Sequence, residues 1–591
     1  MYCCKFLKTL YEKCKNKTVH IVTLIGEHKG ISIIFAILLV IICTNMMKQG
    51  IMCNDELQSR LASYMSGNDF FQKYISRKLY EGRPLSALTF SFFLKLGFLS
   101  PNRYIERIMA IISILLCVVL FCYLVYKVFR DKRLSVFLAL FLLACMPITF
   151  NLFSPSAFAT IYNFPFAILI ISMIMYLDYI DNGSIVRRNL SLILFVIAVT
   201  GYEIFLTFIP VYFFIILLKR RDNKIEFKSI IKKSCPILCT GIAYLITYII
   251  LSRLFPSNYA GTQIGGTLSG FLAVIKQLFL SSIPGYFLIN GKYRYLYKIY
   301  KPKYETNYLF NDMNLKLIII FCLITLAIIL IYRKKNLCVD GKERIRHVIY
   351  HTGVIAGSFL MIILPILPNA ITTGTQDKVD SGSIASVVTF YSYFFSCFLI
   401  IYILNLFLRT MMTKKLNIII KITAIFIAVL TVEISSRNFI FAEEQNANYN
   451  RLVRIENMLQ TDTFSLFENK EINARDIYKT KNALGINNDY WNCFSQILGK
   501  KFYLLNQDEG AAYTLIDIDD TYFELVGEKE IVVFLDENLD YRNKKVYYKN
   551  YWDTMLMQNL YRDNGFYILC YKIDGNRLER INYNELEILK N

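Results

Sequence analysis

Three short stretches of this chain carry side chains whose types and spacing suit chemistry on a hydroxyl and a phosphate. Asp55 and Glu56 are adjacent carboxylates a few residues past the first apolar run, and Glu81-Gly82-Arg83-Pro84 follows in the same polar segment. Glu203, in Gly201-Tyr202-Glu203, interrupts an otherwise apolar run from Leu190 to Leu218. A carboxylate accepts the proton of an attacking hydroxyl, and the planar guanidinium of arginine binds phosphate through paired donors. Each group also has a plainer reading. Asp55 and Glu56 fit a solvated helix end. Arg83, held in a turn by Gly82 and Pro84, fits a snorkel to lipid headgroups. Glu203 fits a structural ion pair to an outer arginine, since an acid in an apolar run is costly unless paired or wetted. Arg253 and Arg437, at the ends of apolar runs, are phosphate candidates or simple anchors.

The elements that must position these groups are membrane helices. Of 591 residues, 55% are hydrophobic and 19% charged, where a soluble protein carries about 25% charged residues. The mean hydropathy is +0.40, and apolar runs approaching the roughly 20 residues of a bilayer crossing recur along the chain. The formal net charge of +21 does not point to nucleic acid. Its basic residues cluster at the ends of apolar runs, the pattern that orients membrane helices, and no basic face interleaved with aromatics accompanies them.

The charge pattern predicts eleven spans, with the N-terminus inside and the C-terminus outside. The first run, Ile31 to Cys43, follows a lysine-rich segment and is not followed by a small-residue cleavage site, so it reads as a retained anchor. Further spans are expected at about 105–127, 134–151, 158–178, 235–253, 314–332, 348–367, 386–408 and 416–434. Lys127 to Arg133, Arg187-Arg188, Lys219-Arg220-Arg221, Arg333 to Lys335 and Arg409 to Lys415 then lie on the cytoplasmic side. The 29 residues from Leu190 to Leu218 have basic flanks at both ends, so they must cross and return as two short helices turning near Thr200 to Glu203. Each half is roughly 22 Å long, short of a full bilayer, which places Glu203 in a protein-lined cavity at the outer side. A long outer segment, 254–313, breaks the rule with Lys292, Arg294, Lys298, Lys301 and Lys303 outside; its amphipathic part, 271–290, is expected in the interface.

On this topology Asp55, Glu56, Asp69, Glu81 and Glu203 face outward, while His20, His28, His347 and His351 do not. An outward general base then has to be a carboxylate, and a histidine-rich zinc site outside is not expected. The chain divides into a transmembrane domain, 1–440, with a first outer loop at 47–104, and a polar region, 441–591. The runs Ile531 to Leu535, Lys545 to Tyr548 and Gly565 to Leu569 predict a small C-terminal α/β domain on the outer face. The fifteen cysteines show no CxxC pairing and lie mostly inside spans as packing residues; Cys493 and Cys570 are a disulfide candidate if their region is exported. Asp517-Ile-Asp519-Asp520 has the DxD spacing of nucleotide-sugar metal sites, but tripeptides of this kind are common and nucleotide sugars are not supplied outside. No P-loop or GxSxG pattern is present.

An N-in first span, a long first outer loop opening with Asp55-Glu56, the Glu81-Gly82-Arg83-Pro84 turn, and Tyr202-Glu203 at the apex of a short-helix pair resemble the GT-C superfamily of membrane glycosyltransferases. The likeness is greatest to the bacterial O-antigen glucosyltransferase group, and it covers residues 1–440. It implies an α-helical polytopic fold in the cytoplasmic (inner) membrane and sugar transfer at the outer face. The donor would be a polyprenyl-phosphate-linked sugar and the acceptor a cell-surface polysaccharide or lipid-linked glycan. The partners are then donor, acceptor and lipid bilayer, with no nucleic acid. The resemblance assigns Asp55 as base, Glu56 as ligand of the acceptor or of a divalent cation (the one candidate cofactor), and Glu203 as cavity acid. Arg83 becomes a phosphate clamp, with Glu81, Tyr202 and Arg253 as further substrate contacts. The semi-apolar run Leu85 to Leu99 offers a groove for an isoprenoid tail. A polysaccharide polymerase is the nearer alternative. A transporter or flippase of lipid-linked glycans is the other, although the chain lacks the paired repeats and matching broken spans common in transporters.

Overall fold

The computed structural model describes residues 29–50, 59–147, 159–223, 227–256, 263–289, 312–333, 344–380, 386–410 and 413–460, residue 497, and nine strands beyond. The chain forms two compact units. One comprises Met1–Lys48, Lys73–Gly97 and Glu106–Glu443; the other comprises Gln49–Gln72, Phe98–Ile105 and Glu444–Asn591.

Among the described residues the chain up to Gln460 is almost entirely helical. Its helices are α1 (Lys29–Lys48), α2 (Gly67–Tyr80), α3 (Ala87–Gly97), α4 (Arg103–Phe129), α5 (Lys132–Ala144), α6 (Ala159–Asn182) and α7 (Ile185–Gly201). They continue as α8 (Ile209–Asn223), α9 (Phe227–Leu254), α10 (Leu268–Ser281), α11 (Asp312–Arg333), α12 (Arg344–Ile363), α13 (Val388–Thr410) and α14 (Thr413–Gln460), with shorter turns between. Five stretches are long and apolar enough to cross a membrane: Tyr104–Phe129, Thr160–Asn182, Ile230–Leu254, Val388–Leu408 and Ile418–Ile440. These make the chain a multi-pass helical membrane protein. Six shorter apolar stretches accompany them, among them Glu203–Leu218 and Lys316–Ile331. The stretch expected as a third span, 134–151, is helical over Lys132–Ala144, and residues 148–158 lie outside the described part.

The run from Leu190 to Leu218 breaks at the expected place. Helix α7 ends at Gly201, Tyr202 is extended (φ −157°, ψ 113°), and a 3-10 segment, Glu203–Phe208, leads into α8. A side chain at Gly201 has no room: an added Cβ would lie 2.7 Å from Pro165 Cγ and 2.9 Å from Pro165 Cβ on α6. The Thr89 hydroxyl of α3 donates to the Thr200 carbonyl at 2.7 Å, satisfying one of the carbonyls that a helix end leaves open.

The core between α6, α7 and α8 mixes close packing with satisfied polar groups. Ser172 Oγ lies 2.6 Å from the Tyr212 hydroxyl, and Ser191 Oγ donates to the Ser172 carbonyl at 2.8 Å. Phe166 packs edge-on and tilted against Phe208, Tyr391 and Phe394. At one end of these helices Lys127 of α4 and Arg187 of α7 both pair with Asp178 of α6. Helices α4 and α6 therefore bring their C-terminal ends to the same level, and α7 starts there.

Helix α14 runs unbroken from its apolar part to Gln460, past the expected domain boundary at 440. Residues 441–460 contain neither Gly nor Pro, so nothing in the local chemistry stops the helix where its hydrophobicity ends. In the second unit Arg60 is buried and donates to the Pro101 carbonyl at 3.0 Å. The elements after Gln460 are β1 (Glu471–Asn473), β2 (Tyr503–Leu505), β3 (Tyr513–Asp517), β4 (Ile531–Asp536), β5 (Lys545–Tyr548), β6 (Trp552–Leu556), β7 (Tyr561–Asp563), β8 (Phe566–Asp574) and β9 (Arg577–Ile581). They form a mixed sheet in the order β2-β1-β3-β4-β8-β7, with β9 also on β8, and a separate β5-β6 pair. The β1-β2, β1-β3 and β3-β4 pairings are parallel, while β4-β8, β7-β8 and β8-β9 are antiparallel.

Candidate functional site

The turn that carries Arg83 is a helix C-cap dictated by Gly82. At φ +69°, Gly82 occupies the left-handed region that glycine enters without steric cost. Its N–H donates to the Leu79 carbonyl at 3.0 Å, and the Arg83 N–H donates to the Lys78 carbonyl at 2.9 Å. That pair of bonds is a Schellman motif. Pro84 then opens the 3-10 segment Pro84–Ser86 that leads into α3, and Ser86 Oγ donates back to the Arg83 carbonyl at 2.9 Å. Arg83 is thus pinned on both sides by backbone geometry.

Next to it lies an ion cluster in which Lys78 and Glu81 are buried and Arg77 is exposed. Lys78 Nζ is 2.6 Å from Glu81 Oε2, and Arg77 Nε is 2.9 Å from Glu81 Oε1. Lys78 Nζ also sits 3.8 Å from the centroid of the Phe90 ring, a cation–π contact. Burial pushes the Glu81 carboxyl up, but Lys78, Arg77 and Arg83 outweigh it and hold the group below its ordinary range.

Glu203 reaches the same place from the other direction. Burial opposes the charge on Arg83, yet Glu203, helped by Tyr162, Tyr202 and Glu81, more than offsets it and raises the guanidinium pKa above its ordinary value. Glu203 Oε1 is itself buried and accepts no hydrogen bond among the described residues. A buried carboxylate oxygen with no donor is expensive and calls for an explanation. Tyrosines wall the pair: the Tyr162 and Tyr202 rings are 4.6 Å apart, Tyr202 and Tyr391 are 6.2 Å apart, and the Tyr391 hydroxyl donates to the Tyr162 carbonyl.

The cluster sits at one level of the helical unit. Tyr162 belongs to the first turn of α6, and Asp178, with its two cations, belongs to the last turns of the same helix. Sixteen intervening steps at 1.5 Å each put roughly 24 Å between them, close to the roughly 30 Å thickness of a hydrocarbon core. One charge cluster therefore lies near each end of a membrane-length helix. In a site of low dielectric, a carboxylate beside a guanidinium can hold a hydroxyl and an anionic group together and move a proton between them.

Of the residues singled out in the sequence, Glu81, Arg83, Tyr202 and Glu203 converge. Asp55 and Glu56 lie outside the described residues. Arg253 is exposed at the end of α9, with no ion pair or hydrogen bond to this cluster among the described residues. Arg437 is buried and donates to the carbonyls of Phe287 and Leu288 at 3.4 and 3.3 Å, a tie between chain segments. Asp69 is bonded to Ser66 at the start of α2, as an N-terminal capping pair. Lys78, Tyr162, Tyr244, Tyr248 and Tyr391 were not legible as site residues. The i,i+3 spacing of Lys78 and Glu81 and the i,i+4 tyrosines of an apolar run were the available signals. Among the described residues no group of three or more His, Cys, Asp or Glu side chains is placed to hold a metal ion. Comparison with protein-family models, with curated proteins and with solved structures finds no match to this chain.

Proposed function

We propose that this chain is a membrane glycosyltransferase that moves a sugar from a polyprenyl-phosphate-linked donor to a surface glycan or lipid-linked acceptor at the outer face of the cytoplasmic membrane. On this reading eleven helices cross the bilayer, the N-terminus is cytoplasmic, and the C-terminal sheet belongs to an extracytoplasmic α/β domain. The observation that carries it is Glu203 Oε1, buried without a hydrogen-bond donor among the described residues and electrostatically joined to Arg83. A hydroxyl of the acceptor supplies the missing donor, and a lipid-linked phosphate supplies an anion for Arg83.

In the reaction the acceptor oxygen attacks the anomeric carbon and forms the new C–O bond. The sequence offers Asp55 as the base that takes its proton and Glu56 as a ligand of the acceptor, while Glu203 accepts a hydrogen bond from a further hydroxyl of the acceptor. The bond from the anomeric carbon to the phosphate oxygen breaks, its electron pair leaves with the polyprenyl phosphate, and Arg83 stabilises that charge. The Lys78–Glu81 pair keeps the Arg83 turn in place.

The test is transfer of a radiolabelled sugar from its polyprenyl phosphate in membranes containing the full chain. Asp55→Asn, Arg83→Gln and Glu203→Gln, expressed at the normal level, are each expected to lose about 100-fold in rate. Full activity in Asp55→Asn removes Asp55 from the mechanism. Flux of an intact lipid-linked glycan across vesicles, without bond transfer, replaces the proposal with a transporter.

A further inference from the structure

Helix α9 has two faces of opposite character. Ile242, Leu245, Ile246, Ile249 and Ile250 are exposed, the composition of a lipid-facing surface, whereas Gly241 and Tyr244 are buried and Tyr248 is half-buried. A Cβ at Gly241 would collide with Ile209, so this inner stripe is packed closely on the start of α8. The Tyr244 and Tyr248 rings, one turn apart, are stacked at 6.5 Å with only 16° between their planes.

The two hydroxyls differ. That of Tyr244 donates to the Val199 carbonyl at 3.4 Å. That of Tyr248, on a half-buried side chain, makes no hydrogen bond among the described residues. Helix α9 packs against the Pro84–Ser86 turn immediately after Arg83, and against α7 before Glu203. The charges of both Glu203 and Arg83 are felt at both tyrosines. Tyr248 therefore lies on the lipid-facing helix that packs beside both charge-bearing segments, with a rigid ring and a donor uncommitted among the described residues.

We infer that Tyr248 is a substrate-binding residue whose hydroxyl donates a hydrogen bond to the phosphate of an isoprenyl phosphate held by Arg83. The inference rests on the reading of Arg83 as a phosphate clamp and adds the position at which the lipid enters. The phosphate head meets Arg83 and Tyr248, and the isoprenoid chain leaves along the apolar outer face of α9. A hydrogen bond from a neutral phenol to an anion is of the stronger kind.

The test is calorimetric titration of the purified full chain with farnesyl phosphate as probe. Tyr248→Phe keeps the ring and its stack, so folding is preserved, and should weaken binding about tenfold. Tyr244→Phe, whose hydroxyl is already engaged by Val199, should leave Kd within about twofold. Unchanged binding in Tyr248→Phe, or equal weakening in Tyr244→Phe, overturns the inference while leaving the clamp intact. If the wild-type chain does not bind farnesyl phosphate, or binds it equally well with Arg83→Gln, the phosphate-clamp reading fails first and Tyr248 falls with it.

Discussion

Lys78 and Glu81 are held 6% and 10% exposed, an environment in which each charge depends on the other. Removing one partner leaves the other buried and uncompensated, which typically costs about 3 kcal/mol. Glu81→Ala should therefore lower the thermal midpoint of the purified chain. Adding Lys78→Met should restore much of the loss, because replacing both charges by apolar groups is close to neutral. If the double variant is no more stable than Glu81→Ala, the pair is not the source of the effect. The carboxyl of Glu81 is held below its ordinary value of 4.5, which gives the sign of the pH dependence. Its contribution is fully present above that value and is lost as pH falls through the lowered folded-state pKa. Acid melting followed from pH 6 downward should show less loss below about pH 4 in the double variant than in the wild-type chain.

At the scale of elements, two glycines place the two halves of the site. Gly82 has a positive φ, and the Schellman bonds that direct Arg83 depend on it. Gly82→Ala should cost about 1 kcal/mol through left-handed strain and weaken activity more than stability, since it re-aims the turn. Gly201→Ala forces the α7 end away from Pro165 by several tenths of an ångström and should cost about 1–3 kcal/mol. A thermal midpoint unchanged in Gly201→Ala refutes the close approach. The break at Gly201-Tyr202 was legible in the sequence, because an apolar run with basic flanks at both ends must turn. The register of α3 against α7 was not. It follows from the Thr89 bond to the Thr200 carbonyl, which joins residues 111 positions apart.

Across the whole molecule, the Asp178 cluster and the Glu81–Arg83–Glu203 cluster occupy opposite ends of α6, separated by roughly a bilayer's hydrocarbon thickness. Charges gathered at two levels with an apolar band between them are what a spanning bundle needs. The proposed eleven-span order assigns residues 183–184 and 224–226 to the Asp178 side and the loop 368–384 to the other. Alkaline phosphatase fused after residue 223 should be inactive, and the same enzyme fused after residue 382 active, since it needs an exported environment. Activity at both points, or at neither, rules out the eleven-span order while leaving the five long apolar helices untouched.

Membrane residence, the approximate places of the apolar helices and the break at Tyr202 follow from the sequence by itself. They depend on local periodicity, on hydropathy and on charges beside apolar runs, all of which are written in consecutive residues. That Arg83 and Glu203 share one tyrosine-walled place, and that α9 packs beside the segments carrying both, was decided by the tertiary structure. Each of those contacts links residues on different helices or turns, and helix packing, rather than any spacing along the chain, sets which of many possible faces meet.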